Sequence, residues 1–247
     1  MIVEREEDIA GLKAVGRVCA AALRAMMEAV QPGMTTAELD NIGRAVLEKA
    51  GAKSAPVSLY RFPGAACISV SPVIAHGIPG GHVLREGELI NIDVSAEMDG
   101  YFGDTGASMV VAAQVPEYEK IVAAAKSALD KALQAARAGQ TINNIGKAVQ
   151  TEAKRRGYGV IYNLTGHGIG RHLHEEPIQV FNYFKPRDRY VLKEGLVLAV
   201  EPFLTAGKGR VLEEADGWSL RTTDRAIAAQ FEHTIIVTKD EPIILTA

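Results

Sequence analysis

One sequence pattern occurs twice in the chain, as GMTTAELDNIGRAV at Gly33–Val46 and as GQTINNIGKAV at Gly139–Val149. Both copies start with glycine, continue to threonine and end in N-I-G, a basic residue and A-V. A repeat of this kind is typical of a fold built from similar units. The alternative is a chance coincidence of two short helical motifs.

The sequence around the two copies favours the repeat. A long amphipathic helical pattern precedes them at residues 4–31 and 117–138, and strand-like segments follow them. We therefore predict an α/β fold with two similar halves, at about 4–111 and 117–238, each a helix pair followed by strands.

The composition limits which kind of protein this is and which partners it is expected to bind. Of the 247 residues, 47% are hydrophobic and 23% charged, with 27 Lys and Arg against 30 Asp and Glu. A net charge of −3 without a dense basic run argues against nucleic acid as the main partner. The acidic start of the chain and the lack of a long apolar run predict neither a signal peptide nor a membrane span. With only Cys19 and Cys67 as cysteines, we expect a reducing, cytoplasmic setting.

Two consecutive strand patterns carry the first acidic residues of interest. ELINIDVS at Glu88–Ser95 alternates between apolar and polar residues, and a D-G turn joins it to YFGDTGASMVV at Tyr101–Val111. We expect a hairpin with one core face and one polar face, in which Asp93 and Asp104 lie about opposite each other. Like charges at that separation repel, so a cation is expected between them.

Two later strands also contain an isolated carboxylate. Glu201 interrupts the apolar run LVLAVEPF at Leu196–Phe203, and Glu232 opens the alternating strand in QFEHTIIVT at Gln230–Thr238. A lone carboxylate in a buried strand is unfavourable unless it is paired or binds a metal. Taken singly, each is more often a surface charge or a salt-bridge partner, and the inference depends on their occurring together.

The stretch TGHGIGRHLHEEP at Thr165–Pro177 offers imidazoles on a glycine-rich backbone that predicts a loop or an irregular strand. Four carboxylates and one neutral imidazole would balance two divalent cations. Such oxygen-rich ligation without thiolate suits Mn, Fe(II) or Co better than a structural zinc. The four carboxylates of this prediction are those of Asp93, Asp104, Glu201 and Glu232.

Eight short motifs, in this order, resemble those of the type I methionine aminopeptidases. They are AHGIP from Ala75, NIDVS from Asn91, GDT from Gly103, TGHGIG from Thr165, HEEP from His174, VEP from Val200, DGW from Asp216 and FEHT from Phe231. The resemblance implies a single catalytic domain, 1–247, with the duplicated pita-bread fold. Its two halves would be related by a pseudo-twofold axis, and two helix pairs would cover an antiparallel sheet.

The resemblance also implies a dinuclear metal site. Asp93 would bind one divalent ion, His167 and Glu201 the other, and Asp104 and Glu232 both. Mn, Fe(II) or Co would occupy the site, with Zn as a further candidate. A water or hydroxide shared by the ions would attack the peptide, with Glu201 as proton acceptor.

Substrate contacts follow from the same resemblance. His174 would stabilise the developing oxyanion, and His76 would contact the peptide on its leaving side. A soft, aromatic pocket would take the methionine side chain. The alternative for its members is ordinary core, and for Tyr60 and Leu173 the two interpretations are nearly equal. The expected pocket residues are Tyr60, Phe62, Cys67, Leu173 and Trp218. Leu173 stands where the family often has an aromatic residue, and Ala75 where it often has cysteine.

The expected activity is removal of N-terminal methionine from nascent proteins and peptides whose second residue is small. We expect a monomer, with neither membrane nor nucleic acid as main partner, and a ribosome contact is left open. Two rival interpretations are a proline-specific peptidase of the same fold and a binding module without enzymatic activity. The helical pattern starting at residue 4 and the FEHT motif favour the methionine enzymes over the first rival. The complete ligand set argues against the second.

Overall fold

The computed structural model describes residues Met1–Ala247 and contains five helices and fifteen strands. The helices are α1 (Glu6–Ala29), α2 (Thr36–Lys49), α3 (Ala55–Tyr60), α4 (Pro116–Ala135) and α5 (Asn143–Arg155). The strands of the first half are β1 (Lys53–Ser54), β2 (Cys67–Val70), β3 (Val73–Ala75), β4 (Leu89–Met98) and β5 (Tyr101–Val110). Those of the second half are β6 (Gly159–Val160), β7 (Thr165–Gly168), β8 (Glu175–Phe181), β9 (Val197–Val200), β10 (Phe203–Thr205), β11 (Val211–Glu213), β12 (Leu220–Thr222), β13 (Ala228–Gln230), β14 (His233–Ile236) and β15 (Ile243–Ile244). None of the helices combines the length and the apolar character that crossing a membrane requires.

The two long helical patterns of the sequence form α1 and α4, and each packs against the shorter helix that follows it, α2 or α5. The start of α2 is fixed by a capping box, in which the Thr35 hydroxyl accepts from the Glu38 main-chain N–H at 3.1 Å. The Glu38 carboxylate in turn accepts from the Thr35 N–H at 2.7 Å. These bonds satisfy N–H groups that the first turn of a helix leaves free.

Two hydrophobic cores lie between the helix pairs and the strands. In the first, Leu12 of α1 and Leu39 of α2 pack with Ile92 of β4. In the second, Ile121 of α4 and Ile145 of α5 belong to the same cluster as residues of β9 and β10. β9 contributes to both cores, since Val197 and Ala199 belong to the first and Leu198 and Val200 to the second. The mixed α/β class with antiparallel sheets is confirmed. The repeat boundaries at 4–111 and 117–238 stay a prediction.

The predicted hairpin is present as β4 and β5, which pair along their whole length. Its expected register was wrong by two residues. Because the turn contains only two residues and Met98 pairs with Tyr101, Asp104 lies opposite Ser95 and Asp93 opposite Gly106. Asp93 and Asp104 are thus diagonal neighbours on the same face, which still places both carboxylates in one site.

The polar face of β4 is not exposed to solvent, contrary to a simple reading of its alternating pattern. Asn91 and Ser95 are buried. The Asn91 side-chain amide donates to Gln230 Oε1 at 2.8 Å and to Ser108 Oγ at 3.2 Å. Hydrogen bonds inside the protein therefore replace the water that this face would otherwise require.

The two halves meet where β5 runs beside the start of β14. Glu232 N–H donates to the Gly106 carbonyl at 2.9 Å, and an isolated bridge joins Ala107 to Phe231. The main sheet of the second half has the order β15-β14-β9-β7-β8. This junction brings carboxylates from both halves of the chain together.

The glycines of the repeated N-I-G motif have different surroundings. Gly43 on α2 faces the Met26 thioether of α1, whereas Gly146 on α5 lies against the main-chain carbonyl oxygens of Phe181 and Tyr183. A methyl group at Gly43 would meet the end of a flexible side chain. At Gly146 it would meet two fixed backbone groups.

We therefore expect Gly146→Ala to lower the free energy of unfolding by about 1–3 kcal/mol, as overpacking against rigid atoms does. Gly43→Ala should be close to neutral, because the gain of about 1 kcal/mol in helix propensity offsets the displacement of Met26. Thermal melting of both variants, with metal and with chelator, measures the difference. Equal losses for the two substitutions would contradict this account.

Candidate metal centre

A cavity of about 270 Å³ opens at the junction of the two halves. All twelve site residues predicted from the sequence line it, together with Pro56 and Ser95. The predicted residues in its wall are Tyr60, Phe62, Cys67, His76, Asp93, Asp104, His167, Leu173, His174, Glu201, Trp218 and Glu232. Residues far apart in the sequence, from α3 to the start of β14, thus share one cavity.

Five strands or strand ends position the potential ligands. Asp93 and Asp104 lie in β4 and β5, and His167 lies in β7, next to Ala199 of β9. Glu201 directly follows β9 and Glu232 directly precedes β14. Since β9 and β14 are antiparallel, with Val200 paired to His233, the two glutamates occupy neighbouring positions.

The polar atoms at the centre are separated by distances that leave space for cations. One ligand atom each from Asp104, His167 and Glu232 lies within 4.8 Å of the other two. His167 Nε2 is 3.8 Å from Asp104 Oδ2 and 3.8 Å from Glu201 Oε1. These separations are too long for hydrogen bonds.

Two carboxylate oxygens in this cluster, Asp104 Oδ1 and Glu232 Oε1, are buried without a hydrogen-bond partner. Leaving a buried charged oxygen unpaired is strongly unfavourable, and native proteins rarely do so. A divalent cation would supply the missing interaction. The donor set, with oxygen ligands, one imidazole and no thiolate, therefore fits the divalent metals that prefer such ligands.

Burial and mutual repulsion perturb the carboxyl groups. Burial raises the pKa of Asp93 to about 6, although a hydrogen bond from Asp104 partly offsets this. Burial, followed by repulsion from neighbouring carboxylates, raises the pKa of Asp104, Glu201 and Glu232 well above the usual range. A metal-free site at neutral pH therefore holds protons that metal binding would release.

The His167 imidazole is in the state that a metal ligand requires. Burial, with a smaller effect of His174, lowers its pKa to about 3, so the ring is neutral. Its Nδ1 lies 3.0 Å from the Gly168 carbonyl oxygen. That oxygen can only accept, so Nδ1 carries the proton and Nε2 keeps a free lone pair.

The comparisons with known proteins agree with this chemistry. The sequence model that describes metallopeptidase family M24 matches residues 10–239 of this chain. The chain belongs to metallopeptidase family M24. It is 48% identical to methionine aminopeptidase 2 of Bacillus subtilis, over 100% of this chain and 99% of that protein. It is 36% identical to methionine aminopeptidase of Escherichia coli, over 99% and 93% of the two chains.

Solved structures of M24 proteins have the same fold. Methionine aminopeptidase from Rickettsia prowazekii superimposes with a TM-score of 0.95 at 35% identity, covering 100% of both chains. Prolidase from Pyrococcus horikoshii gives 0.79 at 23% identity, covering 100% of this chain and 63% of the prolidase. The pita-bread fold expected from the sequence motifs is thus confirmed for this M24 chain.

The apolar wall of the M24 cavity combines aromatic rings with a thiol. Phe62 and Trp218 pack edge to face, with ring centroids 5.2 Å apart. Cys67 lies across from Asp93 in the pairing of β2 with β4. Burial, then the nearby carboxylates, raises the pKa of the Cys67 thiol well above its usual range, so it is an uncharged apolar group. Leu173 is buried beside them.

Two further histidines line the cavity beside the carboxylates. His76 follows β3 with a φ of 53°, a left-handed conformation that is uncommon for a residue other than glycine. Burial, and then His174, lower the pKa of His76. The His174 ring centroid is 4.2 Å from that of His167. His172, in contrast, is exposed and is absent from the cavity wall.

Several supporting residues escaped the sequence analysis. Gln230 Nε2 donates to Glu232 Oε2 at 3.0 Å, while Gln230 Oε1 accepts from Asn91. Gln230 and Asn91 each precede a carboxylate by two residues, and the period of two in a strand could have identified them. The same period places Ser95 on the face of Asp93, whereas Pro56 had no such signal.

Thr246, near the C-terminus, supports Asp104 indirectly through hydrogen bonds to Thr234. The Thr234 hydroxyl accepts from the Asp104 N–H at 2.9 Å and donates to the Asp104 carbonyl at 2.7 Å. Thr246 Oγ1 accepts from the Thr234 N–H at 3.1 Å and is 3.0 Å from His233 Nδ1. His233 therefore has a structural contact and is not part of the cavity wall.

Because the pKa of Glu232 is raised, we expect Glu232→Gln to raise the melting temperature of the metal-free protein and to lower that of the metal-bound protein. A carboxyl whose pKa is raised by folding binds more protons in the folded protein, so metal-free stability falls as the pH rises above about 4.3. The glutamine variant has no carboxyl group to titrate at this position and so does not lose this stability. It should have a higher melting temperature than the parent protein in chelator at pH 7.5. The advantage should shrink at pH 5.

With added Mn, the order should reverse, because the amide is a weaker ligand and stabilisation follows metal affinity. Melting curves in chelator and in Mn at both pH values test this, and each kcal/mol corresponds to roughly 2–4 °C. Glu241→Gln, at an exposed site near the C-terminus, is the matched control. Lower melting of the metal-free variant at pH 7.5 would refute the account.

Proposed function

We propose that this protein is a metal-dependent aminopeptidase that removes the N-terminal methionine from proteins and peptides whose second residue is small. The observation that carries the proposal is the cavity itself. Four carboxylates and a neutral imidazole lie beside a thiol and two aromatic rings. The full-length likeness to methionine aminopeptidases supports the substrate.

The proposed ligand arrangement uses both halves of the chain. Asp93 would bind one of two divalent ions, His167 and Glu201 the other, and Asp104 and Glu232 both. Four carboxylates with a neutral imidazole balance the charge of two such ions, for which Mn, Fe(II) or Co is proposed, with Zn as an alternative. Bound there, the ions would acidify a water molecule so that hydroxide is available as nucleophile at neutral pH.

The remaining chemistry is assigned to side chains of the cavity. Glu201, whose carboxyl pKa is raised by burial, is the proposed acceptor of the proton lost by the attacking water. His174 donates a hydrogen bond to the carbonyl oxygen as negative charge develops there. His76 contacts the peptide on the side of the leaving amine.

The apolar wall is the proposed methionine pocket. A thioether is polarisable and makes favourable contacts with aromatic rings, which Phe62 and Trp218 provide. Cys67 and Leu173 add small and flexible apolar surface. Tyr60 also lines the cavity, but its hydroxyl contacts His174. Peptide and protein N-termini are thus the proposed substrates. A monomeric state and a cytoplasmic location stay predictions from the sequence, which leaves a ribosome contact open.

A proline-specific peptidase is the alternative within this fold. Prolidases from Pyrococcus horikoshii and Pyrococcus furiosus and X-Pro aminopeptidase from Thermotoga maritima are 22–23% identical to this chain, which supports a common fold alone. Metal analysis of protein purified without added metal should be combined with assays of Met-Ala-Ser, Met-Arg-Ser and Ala-Pro-Ser. We expect divalent metal and cleavage of Met-Ala-Ser only. Preference for Ala-Pro-Ser, or equal rates on Met-Ala-Ser and Met-Arg-Ser, would reject the proposal.

The two histidines in the wall should respond differently to truncation. His167→Ala should lose metal, because it removes the only imidazole ligand, and excess metal should restore part of its activity. His174→Ala should keep its metal and lose kcat by about 10²–10³, the usual effect of deleting one oxyanion donor. Metal content and kcat at increasing Mn measure both effects.

His172→Ala, at an exposed histidine in the same segment, is the control and should be unchanged. Loss of metal in His174→Ala, or full metal occupancy in His167→Ala, would overturn this division of roles.

A further inference from the structure

Tyr60 makes a contact that a simple pocket wall does not require. Its hydroxyl oxygen is 2.8 Å from His174 Nδ1, across 114 residues of sequence. The tyrosine side chain is 45% exposed, so it is not held there by burial in a core. The hydrogen bond is therefore the main specific contact of the Tyr60 polar end.

Local backbone structure presents Tyr60 to the cavity. Tyr60 is the last residue of α3, whose first turn is capped by the Ser54 hydroxyl. Arg61 then adopts a left-handed conformation with φ of 57°, which ends the helix. Phe62 turns inward and is buried. A non-glycine residue in this conformation is unfavourable, and such strain is commonest at functional sites.

The chemistry of the two groups fixes the direction of the hydrogen bond. A phenol hydroxyl is a stronger acid than a neutral imidazole N–H, and an imidazole nitrogen is a stronger base than a phenol oxygen. Tyr60 therefore donates and His174 Nδ1 accepts. In a neutral ring, the single proton must then reside on Nε2.

The neighbouring His167 is held in the opposite form. Its Nδ1 donates to the Gly168 carbonyl and its Nε2 is the lone-pair site, whereas His174 Nδ1 faces the Tyr60 hydroxyl. The two rings lie 4.2 Å apart. Adjacent imidazoles in one cavity are thus set as a lone-pair donor to metal and as a hydrogen-bond donor to substrate.

We propose that Tyr60 is a positioning residue that holds neutral His174 in its Nε2–H form, so that His174 can donate to the substrate carbonyl. The inference rests on the proposed function, because that carbonyl is the acceptor. This role distinguishes Tyr60 from Phe62 and Trp218, which shape the proposed methionine pocket. A pocket residue would act through its ring, whereas Tyr60 acts through its hydroxyl.

Tyr60→Phe removes the hydroxyl and keeps the ring. We expect kcat on Met-Ala-Ser to fall about 3- to 10-fold, the effect of one hydrogen bond. KM, metal content and melting temperature should be unchanged. Tyr190→Phe, at an exposed tyrosine outside the cavity wall, is the matched control and should match the parent protein.

A double-mutant cycle tests whether Tyr60 acts through His174. In a His174→Ala background, Tyr60→Phe should cause no further loss of kcat. A full, additive loss in that background, or a Tyr60→Phe defect confined to KM, would overturn the proposal and leave Tyr60 as part of the pocket.

The ring form can be observed directly by ¹⁵N NMR of histidine-labelled, zinc-loaded protein. His174 should carry its proton on Nε2 in the parent protein, and Tyr60→Phe should shift it towards a mixture of both forms. The same Nε2–H population in the variant and the parent would overturn the proposal. This readout does not depend on turnover, so it remains decisive if Met-Ala-Ser proves not to be a substrate.

Discussion

Repulsion among buried carboxylates is the constraint on which the rest of the structure depends. Asp104 and Glu232 each bury an oxygen without a partner, and Glu201 lies beside Glu232 at the ends of two paired strands. Such a cluster is unfavourable by itself and becomes favourable only with divalent cations or bound protons. The hydrogen bonds from Gln230 to Glu232 and from Asp104 to Thr234 hold the carboxylates together against that repulsion. Metal affinity and fold stability are therefore linked at one place.

Much of this arrangement could be predicted from local sequence patterns. The amphipathic spacing located α1 and α4, and the D-G turn between alternating segments located the β4–β5 hairpin. Lone acidic residues in apolar strands identified the carboxylate cluster, because such residues need a partner. Each of these inferences uses a physical rule that acts within one helix, strand or turn.

Features that depend on strand register or on contacts between distant residues were harder to predict from the sequence. The pairing of Asp104 with Ser95 depends on the exact position of the two-residue D-G turn, because moving the turn by one residue shifts every facing partner by two. The hydrogen bond from Tyr60 to His174 joins the end of α3 to the segment before β8, and the two have no common sequence pattern. Likewise, the contact of Gly146 with two carbonyl groups depends on how α5 meets β8, and the repeated motif by itself made the two glycines look equivalent. Sequence patterns thus identified the ligands better than the groups that orient them.

The hydrogen bonds that link Asp104 to Thr234 and Thr234 to Thr246 have a consequence for the order in which the site forms during synthesis. During synthesis, β4 and β5 emerge with Asp93 and Asp104 long before Glu232 and its supporting residues exist. Until then, the first two carboxylates face water and repel each other little. The ligand set is complete only after Glu232 has been synthesised, and its hydrogen-bonded support only after Thr246 has, so a shorter chain lacks the complete centre. A newly synthesised molecule would acquire its metal, and with it any peptidase activity, as one of the last events of its maturation.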